Sequence, residues 1–205
     1  MPRLNVPPTK SNQLKLKRDL DMASEGFNLL DQKREILVME LMRLLDRARR
    51  AEKKLEETRK SAYNVLRTAL AKNGYNQMER VGSGIEYEHK IEFSQRVVAG
   101  VKIPEIAVTA GEFSLQFGFA DTDSLVDETM QAFLELLQAI GEVAHLQSSV
   151  WLLSRELKKT QRRVNALEQI FIPDFRDTLR HIDEVLESRE LEEFSMRKLV
   201  KERKK

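Results

Sequence analysis

Three histidines, one close glycine pair and a scatter of carboxylates are the residues with which this 205-residue chain could do chemistry. His89, His145 and His181 are far apart in sequence and fall in different elements, so a shared metal site is not expected. Cysteine is absent, which removes disulfides, a thiolate nucleophile and cysteine-based zinc sites. Gly82-Ser83-Gly84 is followed by no Lys-Ser or Lys-Thr at the spacing of a phosphate-binding loop, and no dinucleotide fingerprint occurs, so a turn is expected there. Most carboxylates alternate with Lys and Arg, as on solvated helix faces. Nothing assembles a nucleophile, a base and an oxyanion site. The chain therefore reads as non-enzymatic, with no cofactor and no metal.

Two segments ask for a partner rather than a substrate. Lys158, Lys159, Arg162 and Arg163 place four cations in six residues, next to the apolar positions Val164 and Leu167. The plain reading is a solvated charged face; the functional one is a contact surface. Ile36 to Leu45 has eight apolar residues in ten, more than one neighbouring helix can cover. Either a local third packing element covers the excess, or another protein does.

The elements that hold these segments follow from composition. A third of the residues are charged and only 6% aromatic, with 8 Gly and 5 Pro, too few turn formers for a sandwich or barrel. The longest stretch without Asp, Glu, Lys or Arg is Val143 to Ser154, well short of the roughly 20 apolar residues of a membrane span. The first residues carry no apolar signal core.

Residues 1 to 10 hold three of the five prolines and read as an irregular arm, with Ser11 or Asn12 capping a helix behind it. From there to Asn73, steps of four and three give Leu16, Leu20, Ala23, Phe27, Leu30, Arg34, Leu37, Leu41, Leu44, Ala48, Ala51, Leu55, Thr58, Ala62, Val65 and Ala69. Fourteen of the sixteen are apolar, a sustained heptad that predicts a coiled coil. About 95 Å of helix results at 1.5 Å per residue, and it needs a partner helix.

A second helix is expected from Ser124, where Ser124 and Asp127 have capping-box spacing. Its stripe runs through Leu146, Val150, Leu153, Leu157, Thr160, Val164, Leu167 and Phe171, then Phe175, Leu179, Ile182 and Leu186. Pro173 should kink or restart it. Between the helices, residues 74–123 contain six of the eight glycines and shift to period two. Ile85, Tyr87, His89, Ile91 and Phe93 alternate with polar residues, as do Phe113, Leu115, Phe117 and Phe119, and both runs read as short strands. Pro104 indicates an edge or bend in the intervening Val101 to Ile106.

The fold expected is mainly α: a long antiparallel two-helix coiled coil with a small β-hairpin region inserted at the turn. Its parts are an arm and long helix (1–73), a tip (74–123) and a returning helix (124–205), together one continuous shaft. With turning points near Gly74 and Ser124, paired residue numbers should sum to about 198. That register places Arg34 near Val164 and predicts a cross-coil contact with Glu168 or a polar neighbour, since a charge in a core seam is costly unless paired. It also brings two basic ends together: residues 1–18 carry +5 and residues 196–205 carry +5, in a chain whose net charge is +2. No aromatic platform accompanies this charge, so nucleic acid is not an expected partner. Periodicity alone favours a coiled-coil adaptor or scaffold.

Several of these residues also resemble a known family. Asn5-Val6-Pro7-Pro8-Thr9-Lys10, Lys33-Arg34-Glu35, Val101-Lys102-Ile103-Pro104 and Arg162-Arg163-Val164-Asn165-Ala166-Leu167-Glu168 with Ile172-Pro173 are similar, in the same order, to the D subunits of V-type and A-type ATPases. The resemblance implies the central rotor stalk of an ATP-driven or ATP-synthesising ion pump. It implies a non-catalytic subunit, peripheral on the cytoplasmic face of the membrane. Its partners would be the hexamer of catalytic and regulatory subunits, the small F subunit of the stalk and the funnel-shaped subunit above the membrane ring. Lys10, Arg34, Met39, Met42, Lys158, Lys159, Arg162, Arg163, Asn165, Glu168, Lys201 and Arg203 are the candidate partner contacts.

Overall fold

The structure, a computed structural model, describes residues 4–85, 90–109 and 123–203. Helix α1 spans Lys10–Asn73 and α2 Tyr75–Ser83; strands β1 (Lys90–Val98) and β2 (Val101–Thr109) follow; helix α3 spans Ser124–Ala166, a π-helical turn Leu167–Phe171, and α4 Ile172–Arg203. The chain divides into two compact units, Met1–Ile36 with Leu157–Lys205, and Leu37–Glu156.

All sixteen heptad positions of α1 are buried or half-buried. In the first unit Leu16 packs at 5% exposure, and α4 contributes Ile182 at 0%. Gln13 donates to the carboxylate of Asp183, and Lys10 Nζ lies 2.6 Å from Glu190, which sets the two helices antiparallel. In the second unit Gln147 donates to Glu52 at 3.0 Å, the rings of Tyr63 and Phe133 stand 5.6 Å apart, and Lys72 pairs with Asp123. The numbers of these partners stay close to the expected sum within each unit. Buried hydroxyls are satisfied one turn back: Ser149 donates to His145 O at 2.8 Å and Thr129 to Leu125 O at 2.6 Å.

Helix α3 begins at Ser124 as expected, but both caps lie a residue or more earlier than expected. The Asn12 N–H donates to Thr9 Oγ1 at 3.3 Å, and the Gln13 N–H to Thr9 O at 3.0 Å. Thr9 is thus the cap, not Ser11 or Asn12, whose hydroxyl and amide lie inside the first turn. At α3 the cap is Asp123: its Oδ1 accepts from the Ser124 N–H at 2.8 Å, and Ser124 is the first helical residue.

Pro173 stands in the first turn of α4, directly after a change of helix type. The Ile172 N–H reaches back five residues to Leu167 O, so a wide π turn stands immediately before the proline. Pro173 has no N–H to give, and in a regular helix its ring would press on the carbonyl of Gln169. The wider turn relieves that contact. It also adds one residue to the seam: Phe171, expected inside, is 48% exposed, and Ile172 is buried instead.

In the second unit β1 and β2 form an antiparallel hairpin in register from Lys90↔Thr109 to Val98↔Val101. Ala99 and Gly100 close it with φ of 48° and 80°, the two positive values of a type I′ turn. The strands therefore pair 90–98 with 101–109. The stretch 113–119, with Tyr87 and His89, lies outside the described residues. Pro104 is inside β2, opposite Gln95. Counting from the two-residue turn, that is a pair without ladder bonds, so the missing N–H leaves no gap.

Candidate functional site

The described residues hold no cluster of three or more His, Asp, Glu or Cys placed to bind a metal, and none of their helices is long and apolar enough to cross a membrane. His145 has a structural role. Its Nδ1 lies 2.9 Å from Pro104 O, and because a carbonyl only accepts, that nitrogen carries the proton.

In the first unit, Lys158, Lys159, Arg162 and Arg163 are all exposed, while Thr160 and Val164 between them are 2% and 0% exposed. Heptad spacing does this: seam residues four apart face inward, and the cations fill the outer arc. None of the four forms an ion pair among the described residues. Asn165 is exposed, and its side-chain oxygen accepts from Gln161 Nε2 at 2.7 Å. Glu168 is exposed on the π turn. Arg34 does not reach toward it: the guanidinium pairs with Asp31 at 2.5 Å, one turn back on its own helix. An acid three residues away is always within reach and needs no extension across the seam. Lys10 is drawn to Glu190, which raises its pKa, and the hydrogen bond from Lys10 holds the Glu190 carboxyl below its usual range.

Charge alone understates the far end of α4. Every residue from 191 to 203 is exposed, including Leu191, Phe194, Met196, Leu199 and Val200 at 55–65%. Lys201 and Arg203 follow on the same helix, both exposed. Because α1 begins level with Glu190, this stretch of about 20 Å stands as a single helix.

In the second unit, Met39 and Met42 are 65% and 62% exposed, beside buried Leu37 and Leu44. Glu40, between them, is paired with Arg96 of β1 and lies 3.8 Å from Arg43. The hairpin is thus a third packing element at this apolar stretch, yet it leaves both methionines open. No alternation or motif points to Arg96 or Glu40, because their pairing spans 56 positions in sequence. The apolar face of β1 is open as well, with Ile91, Phe93 and Val97 at 54–74% exposure.

The Lys72–Asp123 pair gives an acid-sensitive point. The hydrogen bond from Lys72 holds the Asp123 carboxyl below its usual 3.8, with the Ser124 N–H assisting. A carboxylate whose folded pKa is depressed stabilises the fold above its unfolded value and loses that contribution as pH falls through the folded one. Asp123→Asn keeps a cap acceptor but removes the charge. Its thermal midpoint, followed by helical circular dichroism, should sit below that of the parent at pH 7, and the gap should narrow as pH falls below 3.8. A constant difference down to about pH 2.5 would show that the ion pair contributes nothing.

Each unit thus carries exposed charged or apolar surface of its own, which suits a component of a larger assembly. Comparison with known proteins identifies the assembly. The family model for the D subunit of ATP synthase matches residues 12–202. The D subunit of the V-type ATP synthase of Thermotoga neapolitana is 35% identical over 202 residues, covering 98% of each chain. The D subunit of the A-type ATP synthase of Methanopyrus kandleri is 35% identical over 206 residues, covering 98% of this chain and 89% of its own. That of Pyrococcus horikoshii is 33% identical over 201 residues, covering 97% and 94%. With nearly its whole length matched, this chain belongs to the family of ATP synthase D subunits.

Proposed function

We propose that the chain is the central-stalk shaft of a V/A-type rotary ATPase, transmitting torque between a catalytic hexamer and the membrane ion-translocating ring. It hydrolyses no ATP itself and sits peripherally at the cytoplasmic face. Its lower part carries the small F subunit of the stalk and sits on the funnel-shaped subunit above the ring. Family membership over residues 12–202 is the observation on which this rests. The seam supports it physically: antiparallel helices locked in register resist relative sliding, and a two-helix coil with no catalytic constellation among the described residues suits a mechanical part.

The exposed candidates then have a division of labour. Met39 and Met42 offer adaptable apolar contact to a stalk partner. Lys158, Lys159, Arg162 and Arg163 offer an outward cationic face, with Asn165 and Glu168 beside it. Replacing Arg162 and Arg163 together by alanine should leave the isolated coil folded, because an exposed charge contributes only about 0 to 1 kcal/mol. In the assembled complex the same change should lower ATP-driven ion transport more than ATP hydrolysis. Unaltered coupling in the double variant would return these residues to the role of a solvated face.

A further inference from the structure

The N-terminal arm does not trail from the coil. The Leu4 N–H donates to Thr178 Oγ1 at 3.1 Å, and Thr178 is only 1% exposed. The same hydroxyl donates to Asp174 O at 2.6 Å, so both of its hydrogen-bonding roles are used. Arg189 donates to Pro8 O at 3.2 Å. From Pro8 to Leu4 the partner on α4 moves from Arg189 to Thr178, so the arm turns at the helix start and runs back along the helix pair. Pro7 and Pro8 restrict the backbone at that bend, and the Asn12 side-chain amide ties it down by donating to Pro7 O at 2.8 Å.

A device of this kind answers a local problem. The first turn of α1 has no acidic residue to offset its dipole, and both chain ends are strongly basic. On charge alone this end of the coil should fray. We propose that residues 4–9 form a clasp that closes the coil at its basic end, with the buried Thr178 hydroxyl as its latch. The clasp fixes the point at which the paired coil stops and single α4 begins. It is a property of the folded chain and holds whether or not the chain turns in a motor.

Leu4→Pro removes the donor N–H, whereas Leu4→Ala keeps it. Amide hydrogen exchange on the full chain, with α3 peptides as internal reference, separates the two. In Leu4→Pro, exchange in α4 between Asp174 and Leu186 should quicken by roughly two- to tenfold, the range for loss of one net hydrogen bond. Leu4→Ala should match the parent. Thr178→Val should behave like Leu4→Pro, and Thr178→Ser like the parent. Equal α4 exchange in Leu4→Pro and Leu4→Ala, or acceleration confined to the arm, would overturn the clasp.

Discussion

Gly141→Ala should destabilise the second unit, although alanine is the better helix former. A Cβ at Gly141 would overlap Val108 Cγ2 and lie 3.1 Å from Val108 Cβ. Real side chains do not approach so closely, so β2 must shift away from α3. Val108 has little rotational freedom to yield, being β-branched and within the hairpin. The helix itself gains about 1 kcal/mol from the exchange. Overpacking of a fitted contact costs typically about 1–3 kcal/mol, so the clash should win. The decisive experiment uses both residues. In a Val108→Ala background the obstructing methyls are gone, and Gly141→Ala should become neutral or stabilising in denaturant unfolding. The same loss in both backgrounds would mean that the glycine is there for another reason. The contact matters beyond stability, because it seats β2, whose neighbour β1 carries Arg96 to Glu40.

This contact also shows why some of the structure can be read from the sequence and some cannot. The seam is legible because its signal repeats: a residue such as Leu37 or Leu44 is one of many at the same spacing, and errors at single positions average out. Register follows from the two turning points, and contacts such as Glu52 with Gln147 respect it. Caps are less legible. Thr9, Ser11 and Asn12 can all accept a backbone N–H, and only the arm's path selects Thr9. Pro173 announces a disturbance, but its type depends on whether the chain kinks or widens, and a π turn of otherwise ordinary residues has no composition of its own. The hairpin turn is not legible in the sequence, because Ala99 puts a non-glycine residue at positive φ beside Gly100. The candidate contacts suffer most. The seam pattern gives Arg34 a distant partner, when a near acid, Asp31, is already on the same face. Charge patterns locate surfaces, but pairing is decided by geometry.

The basic end tests the shaft reading most sharply. If this end enters the bore of a hexamer, two kinds of contact are available, and only one of them is weakened by salt. Lys201 and Arg203 are exposed, so attraction to carboxylates or carbonyls should weaken as the Debye length falls from about 10 Å at 0.1 M to 3 Å at 1 M. Leu191, Phe194 and Leu199 form an uncovered apolar row, at 62%, 62% and 55% exposure, and burial of such a row is not screened. The structure shifts the expected balance toward the apolar row, because a single helix with exposed Phe and Leu has no other way to remove them from water. Phe194→Ala with Leu199→Ala should weaken binding to the preformed hexamer by about 30-fold or more, as loss of a central anchor does. Neutralising Lys201 and Arg203 should cost only a few-fold at about 0.1 M salt and nothing measurable at about 1 M. Binding that is lost with the cations but indifferent to Phe194 and Leu199 would make the grip electrostatic. Binding indifferent to both would place this end outside the bore, and with it the direction in which the shaft is mounted.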